Sequence, residues 1–278
     1  MGLPRLGIIA GRGALPGILL DAAESQGREV VIAEMDGFES NVESQHPKLH
    51  FRVERLSALF DALKAQHVSE IVLAGAVRRP VLSPRHFNLR TLLLALKFVP
   101  ALRQGDDALL RVVVGLFEAA GFKVRGAQEL VPELVATPAM LTQAYPSEAD
   151  RMDAASGMAL LRMMGAADLG QSAVVAKGRA LGVETDPGTD VMLAQVAALP
   201  SIHRPQGVKG VLVKAPKPGQ ERRVDLPTIG PDTVRGAIAV GLAGIVIEAG
   251  GVILLERDRV IAECDAAGLF LWAREADP

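Results

Sequence analysis

The chain has 278 residues, 49% of them hydrophobic and only 4% aromatic, with a formal charge of -2 and one cysteine. That length exceeds one ordinary core and suits two domains of about 130–140 residues. The slight acidity offers no global attraction to nucleic acid, and lone Cys264 excludes a disulfide framework and reads as a packed small side chain. Cores made from Ala, Val, Leu and Ile suit α/β layers. The opening MGLPRLGIIAGRG carries too short an apolar run for a signal peptide. LGIIA (6–10) then predicts a strand, GRGALPG a turn, and ILLDAAESQG a helix stopped by Gly27. EVVIA (29–33) and EIVLAGA (70–76) predict two more strands around a helix at 57–66. Helical spacing returns in 88–102 and 107–121, before a strand at 122–127.

This alternation predicts a Rossmann-like N-terminal domain, residues 1–132, on a parallel sheet. Residues 130–150 carry Pro132, Pro138 and Pro146 and read as the connector. A second α/β domain with a mixed sheet, 133–278, restarts with a helix at 147–168 capped by Ser147. Strands follow at 172–178, 180–184 and 209–215, with a helix after Gly188-Thr189-Asp190 that Thr189 and Asp190 are placed to cap. Residues 236–255 have membrane-spanning length, but Glu248 and Gly250-Gly251 break them into helix, strand, turn and strand. LFLWA (269–273) is the last strand. A cytoplasmic protein is expected.

Several stretches carry candidate chemistry. Gly11, Arg12 and Gly13 lie between a strand and a helix, where backbone amides receive anions, yet GRGALPG departs from G-x-G-x-x-G. A tight β–α turn explains them equally well. Ala74 and Gly75 end the third strand, at the edge that faces the ligand crevice of an open sheet, and Arg78 and Arg79 follow. The apolar 88–102 helix reads as core, as an acyl-chain groove or as a surface for anionic lipid. Farther on, Glu184, Asp186, Asp190, Glu221 and Asp225 are interspersed with Lys177, Arg179, Lys214, Lys217, Arg222 and Arg223. Carboxylates for a hard cation beside bases for phosphate oxygens suit metal-assisted phosphoryl chemistry. Walker, G-x-S-x-G and H-E-x-x-H motifs are absent from the sequence.

LGIIAGRGALPG, IVLAGAV, GVETDPGTDVML and above all KAPKPGQERRVDLPTIGPDTV resemble the UDP-2,3-diacylglucosamine pyrophosphatase family of lipid A biosynthesis, of the two-domain rather than calcineurin-like type. Glu221 stands where an aspartate is more usual in that pattern. The resemblance implies hydrolysis of UDP-2,3-diacylglucosamine to UMP and 2,3-diacylglucosamine 1-phosphate, with Mg²⁺ or Mn²⁺. It singles out Asp225 as essential, with Glu184 or Asp190 as a further metal ligand. Gln220, Arg223 and Lys214 or Lys177 would stabilise developing charge, and Gly11–Gly13, Ala74, Gly75, Thr189 and Thr228 would contact substrate. Peripheral contact with the cytoplasmic face of the inner membrane and a homodimer complete the expectations. A non-catalytic nucleotide-sugar-binding protein is the main rival. A nicotinamide-dependent oxidoreductase is weakened by the imperfect glycine loop.

Overall fold

A computed structural model describes residues 3–77, 85, 91, 106–203 and 205–276. The chain divides into two compact units: residues up to Pro132 with Glu221–Asp225, and Glu133–Gln220 with Leu226 onward. Among the described residues no helix is long and apolar enough to cross a membrane. Arg78, Arg79 and all of the 88–102 segment except Thr91 lie outside the described residues.

Unit 1 is a five-stranded sheet of β1 (Leu6–Ala10), β2 (Val30–Met35), β3 (Lys48–Phe51), β4 (Glu70–Ala74) and β5 (Lys123–Arg125). Every pairing is parallel and the order is β3-β2-β1-β4-β5. This is the doubly wound arrangement, whose switch point falls between β1 and β4. Side-chain alternation explains its two faces. Val31, Ala33, Ile71 and Val124 join one core with α2 (Leu56–Ala65) and α3 (Asp106–Ala119), including a cluster of Phe60, Phe117 and Phe122. Leu6, Ile8 and Ala10 are buried outside that core, as are Leu19, Leu20 and Ala23 of α1 (Leu15–Ser25), which packs against β1 and β2. Gly27, with φ +64, follows α1 as a left-handed stop. The 122–127 stretch divides into β5 and a single-turn helix, α4 (Ala127–Leu130).

Unit 2 has a mixed six-stranded sheet of β6 (Ala139–Met140), β7 (Ser172–Ala176), β8 (Arg179–Val183), β9 (Val211–Lys214), β11 (Gly244–Glu248) and β13 (Phe270–Arg274), in the order β6-β13-β11-β9-β7-β8. Strands β9, β11 and β13 run parallel, and β6, β7 and β8 are antiparallel to their neighbours. Val211 and Val213 join Val246 and Phe270 under α5 (Glu148–Ala166). Leu212, Ile245, Ile247 and Leu271 point to the opposite face, under α6 (Thr189–Ala197), α7 (Pro231–Val240) and α8 (Arg257–Ala267). The expected Rossmann-like sheet and mixed second sheet are both present.

Three local expectations change. Ser147 does cap α5, with Asp150 completing a reciprocal capping box, but α6 is preceded by Gly188 at φ +90 and has no side-chain cap. Thr189 and Asp190 therefore stand inside the helix. The strands flanking Gly250-Gly251 do not pair with each other: β11 belongs to the large sheet, while β12 (Ile253–Leu254) pairs with β10 (Thr228–Ile229). The proline-rich connector also contributes β6, an edge strand on β13.

Candidate active site

In unit 1 the first candidates meet at the switch point. The Gly11 amide donates to the Ala74 carbonyl (2.8 Å), and Arg12 and Ala76 exchange backbone hydrogen bonds (3.0 and 2.8 Å). A Cβ on Gly11 would lie 2.7 Å from the Ala76 oxygen, and one on Gly75 would lie 2.7 Å from the Arg12 oxygen. The crossing of these two loops thus accounts for both glycines without a ligand. Gly13 is different: its φ is +104 and no atom lies within 4 Å of a built Cβ. Behind it α1 starts without a side-chain cap and with proline in its first turn. A helix start without a side-chain cap leaves first-turn amides that can receive an anion, although the Ile18 amide already donates to the Ala14 carbonyl at 3.1 Å. Exposed Arg12 reaches the Gly37 carbonyl at 3.3 Å.

Unit 1 also contains Arg223 and Asp225, because Glu221–Asp225 folds with it. Arg223 meets both Glu221 oxygens (2.9 and 2.7 Å) and Glu118 (2.7 Å). Those hydrogen bonds raise its pKa further, while the Glu221 carboxyl is held below its ordinary value, chiefly by Arg223. Glu221 is thus bonded to Arg223, and the two charges offset each other. Half-buried Asp225 donates its amide to the Glu221 carbonyl at 3.1 Å.

In unit 2 the carboxyl end of β9 presents Lys214, only 5% exposed. Its ammonium donates to Thr189 Oγ1 (2.7 Å) and forms no ion pair among the described residues. Thr189 Oγ1 is 3.2 Å from Ser172 Oγ, and Ser172 Oγ donates to Glu184 Oε2 at 2.6 Å. An ammonium only donates and a carboxylate only accepts, so the chain has one direction: Lys214 to Thr189, Thr189 to Ser172, Ser172 to Glu184. Burial pushes the Lys214 pKa down, against the pull of Glu184 and Asp190. Among the described residues, two of its three N–H donors have no acceptor.

The other predicted residues of unit 2 have different surroundings. Lys177 follows β7 at the end opposite Ser172, roughly 15 Å from it by strand rise, and its ammonium holds the Gln206 carbonyl at 2.8 Å. It does not join Lys214. Gln220 closes the Lys217 turn, accepting from the Lys217 amide at 2.8 Å, with its amide group 3.4 Å from Gln171 Oε1. Thr228, on β10, is half-buried with its hydroxyl 3.4 Å from the Leu226 carbonyl. Buried Cys264 is pushed up to about 12 by its surroundings and is an inert thiol. Among the described residues no three His, Cys, Asp or Glu side chains gather as a metal cage. Ser172 is not among the residues the sequence pointed to, because nothing in SAVVA marks its hydroxyl apart from an ordinary strand residue.

Residues 5–134 match the family model described as the LpxI N-terminal domain, and residues 137–272 the one described as the LpxI C-terminal domain. The chain belongs to the LpxI family. It is 40% identical over 269 residues to the Caulobacter vibrioides protein described as "UDP-2,3-diacylglucosamine pyrophosphatase LpxI", covering 96% of each chain. The family likeness read from the QERRVDLPTIG block is borne out. One boundary is informative: Glu221–Asp225 lies within the C-terminal LpxI match yet folds with unit 1.

Proposed function

We propose that the chain hydrolyses the pyrophosphate of UDP-2,3-diacylglucosamine, giving UMP and 2,3-diacylglucosamine 1-phosphate. The observation that carries this reading is the 40% identity, over 96% of both chains, to a relative described by that activity. Water forms a bond to one phosphorus, the bridging P–O bond breaks, and the leaving phosphate takes the electron pair. Lys214 suits charge stabilisation, because a desolvated ammonium with unspent donors acts strongly on a developing oxyanion and needs little reorganisation. The Thr189–Ser172–Glu184 chain fixes its direction. Arg12 and the open α1 amides near Gly13 suit a second anionic group.

We assign a divalent ion, Mg²⁺ or Mn²⁺, to the reaction. Mg²⁺ takes one or two protein carboxylates and completes its shell with water and phosphate oxygens, a donor set that half-buried Asp225 fits. Glu184 and Asp190, the other carboxylates expected from the sequence, belong to unit 2, where they act on Lys214. The ion supplies neutralisation of the phosphate oxygens. Asp225 then orients or deprotonates water.

Incubation with UDP-2,3-diacylglucosamine in ¹⁸O-labelled water, with and without EDTA, tests the whole reading. UMP and the sugar phosphate should form, one carrying the label, and EDTA should stop the reaction until Mg²⁺ is restored. No UMP under any divalent ion sinks the activity. Asp225→Ala should lower turnover by about 100-fold or more with the fold retained; full Mg²⁺-dependent turnover would remove Asp225 from the site.

A further inference from the structure

Asp225 is carried by five residues that leave one unit and fold with the other, so something must hold them there. Several contacts among the described residues do so. The Glu221 amide donates to Asp107 Oδ1 at 2.9 Å. Arg223 Nη1 donates to Glu118 Oε1 at 2.7 Å, and Gln128 Nε2 donates to the Arg222 carbonyl at 3.2 Å. Val224 packs against the core of α2 and α3. Asp107 and Glu118 stand near opposite ends of α3, and Gln128 lies on α4.

We infer that Asp107, Glu118 and Gln128 are positioning residues that clamp Glu221–Asp225 and aim the Asp225 carboxylate. Arg223 belongs to this clamp: three of its five N–H groups bind Glu221 and Glu118, which ties the strap to α3. The inference rests on the hydrolytic role of Asp225 proposed above. Misplacement of a catalytic group by fractions of an ångström costs turnover more than binding, which separates positioning from simple stabilisation.

The test compares the full-length wild type with Glu118→Ala, Glu118→Gln and Gln128→Ala. Amide exchange at Val224 and Asp225 should quicken about tenfold in Glu118→Ala, and kcat should fall about tenfold while KM stays within about twofold. Glu118→Gln keeps an acceptor for Arg223 and should return both values to within about threefold of wild type. Gln128→Ala removes a surface donor and should show the same changes at smaller size, whatever the folding of the Glu118 variants. Unchanged exchange in Glu118→Ala and Gln128→Ala overturns the clamp, with or without turnover. Faster exchange with unaltered kcat, or a kcat loss that glutamine does not restore, overturns the positioning role. Absence of wild-type UMP release overturns the function instead, and the exchange rates still judge the clamp.

Discussion

Glu70 and Lys214 are both buried charged residues at strand ends, and they are treated in opposite ways. Glu70 opens β4 in unit 1, at the amino edge of its sheet, and takes Arg28 at 2.7 Å, Arg125 at 3.0 Å and Lys123 at 3.6 Å. Lys214 closes β9 in unit 2, at the carboxyl edge, and among the described residues has only a threonine hydroxyl. A buried charge without an ion partner is costly, and proteins retain such costs mainly where charge is used. Glu70 is matched by cations, whereas among the described residues the Lys214 ammonium is matched by none.

Removing each group should separate these roles. Lys214→Met should lower UMP formation by about 100-fold yet leave the melting temperature equal or higher, because a desolvated ammonium is replaced by an isosteric apolar chain. A large fall in stability with normal turnover would erase the contrast. Glu70→Ala should do the reverse, costing about 3 kcal/mol in urea unfolding by stranding Arg28, with kcat per folded molecule unaltered. The pH dependence sharpens the comparison. Burial would raise the Glu70 carboxyl, but hydrogen bonds from Arg28 and Arg125 outweigh it and hold the group below its ordinary value. Its stabilisation is therefore complete above the ordinary carboxylate range and lost as pH falls through the lowered folded value. Glu70→Gln should flatten that acid limb in urea titrations. The Lys214 pKa is also depressed, by burial, so its neutral form favours folding. Stability from this group rises with pH between its lowered value and the ordinary lysine range, and Lys214→Met should remove that slope. The smallest effect belongs to Gly13→Ala, where no atom is met but the positive φ should cost about 1 kcal/mol of stability.

The parts of the fold legible in the sequence were those with local causes. Val- and Ile-rich runs gave β1, β2, β4, β7 and β9, Ser147 marked the start of α5, and Pro231 opens α7. The missed elements lack such signals. KLHF of β3 alternates between exposed and half-buried positions at an edge, and α8 begins after Glu256 in a left-handed conformation with no side-chain cap. In the candidate site, residue type pointed to Lys214, Glu184 and Thr189 because charges clustered around glycine turns. The bonds that define their work did not show: Arg223 meets Glu118 across 105 positions and Lys214 meets Thr189 across 25, distances in sequence that no periodicity encodes. Hence Arg223 and Glu221 read separately, as a base for phosphate and a carboxylate for a cation, and nothing in the sequence showed that they bind each other.

The strap at Glu221–Asp225 has a consequence for inheritance of the two LpxI domains. A C-terminal domain transplanted onto a foreign N-terminal partner would bring Asp225 but leave behind Asp107, Glu118 and Gln128, its anchors in unit 1. A chimera that carries those three positions along with the segment they hold should therefore keep more turnover than one that replaces them, and this chain's halves behave as a fitted pair rather than as exchangeable modules.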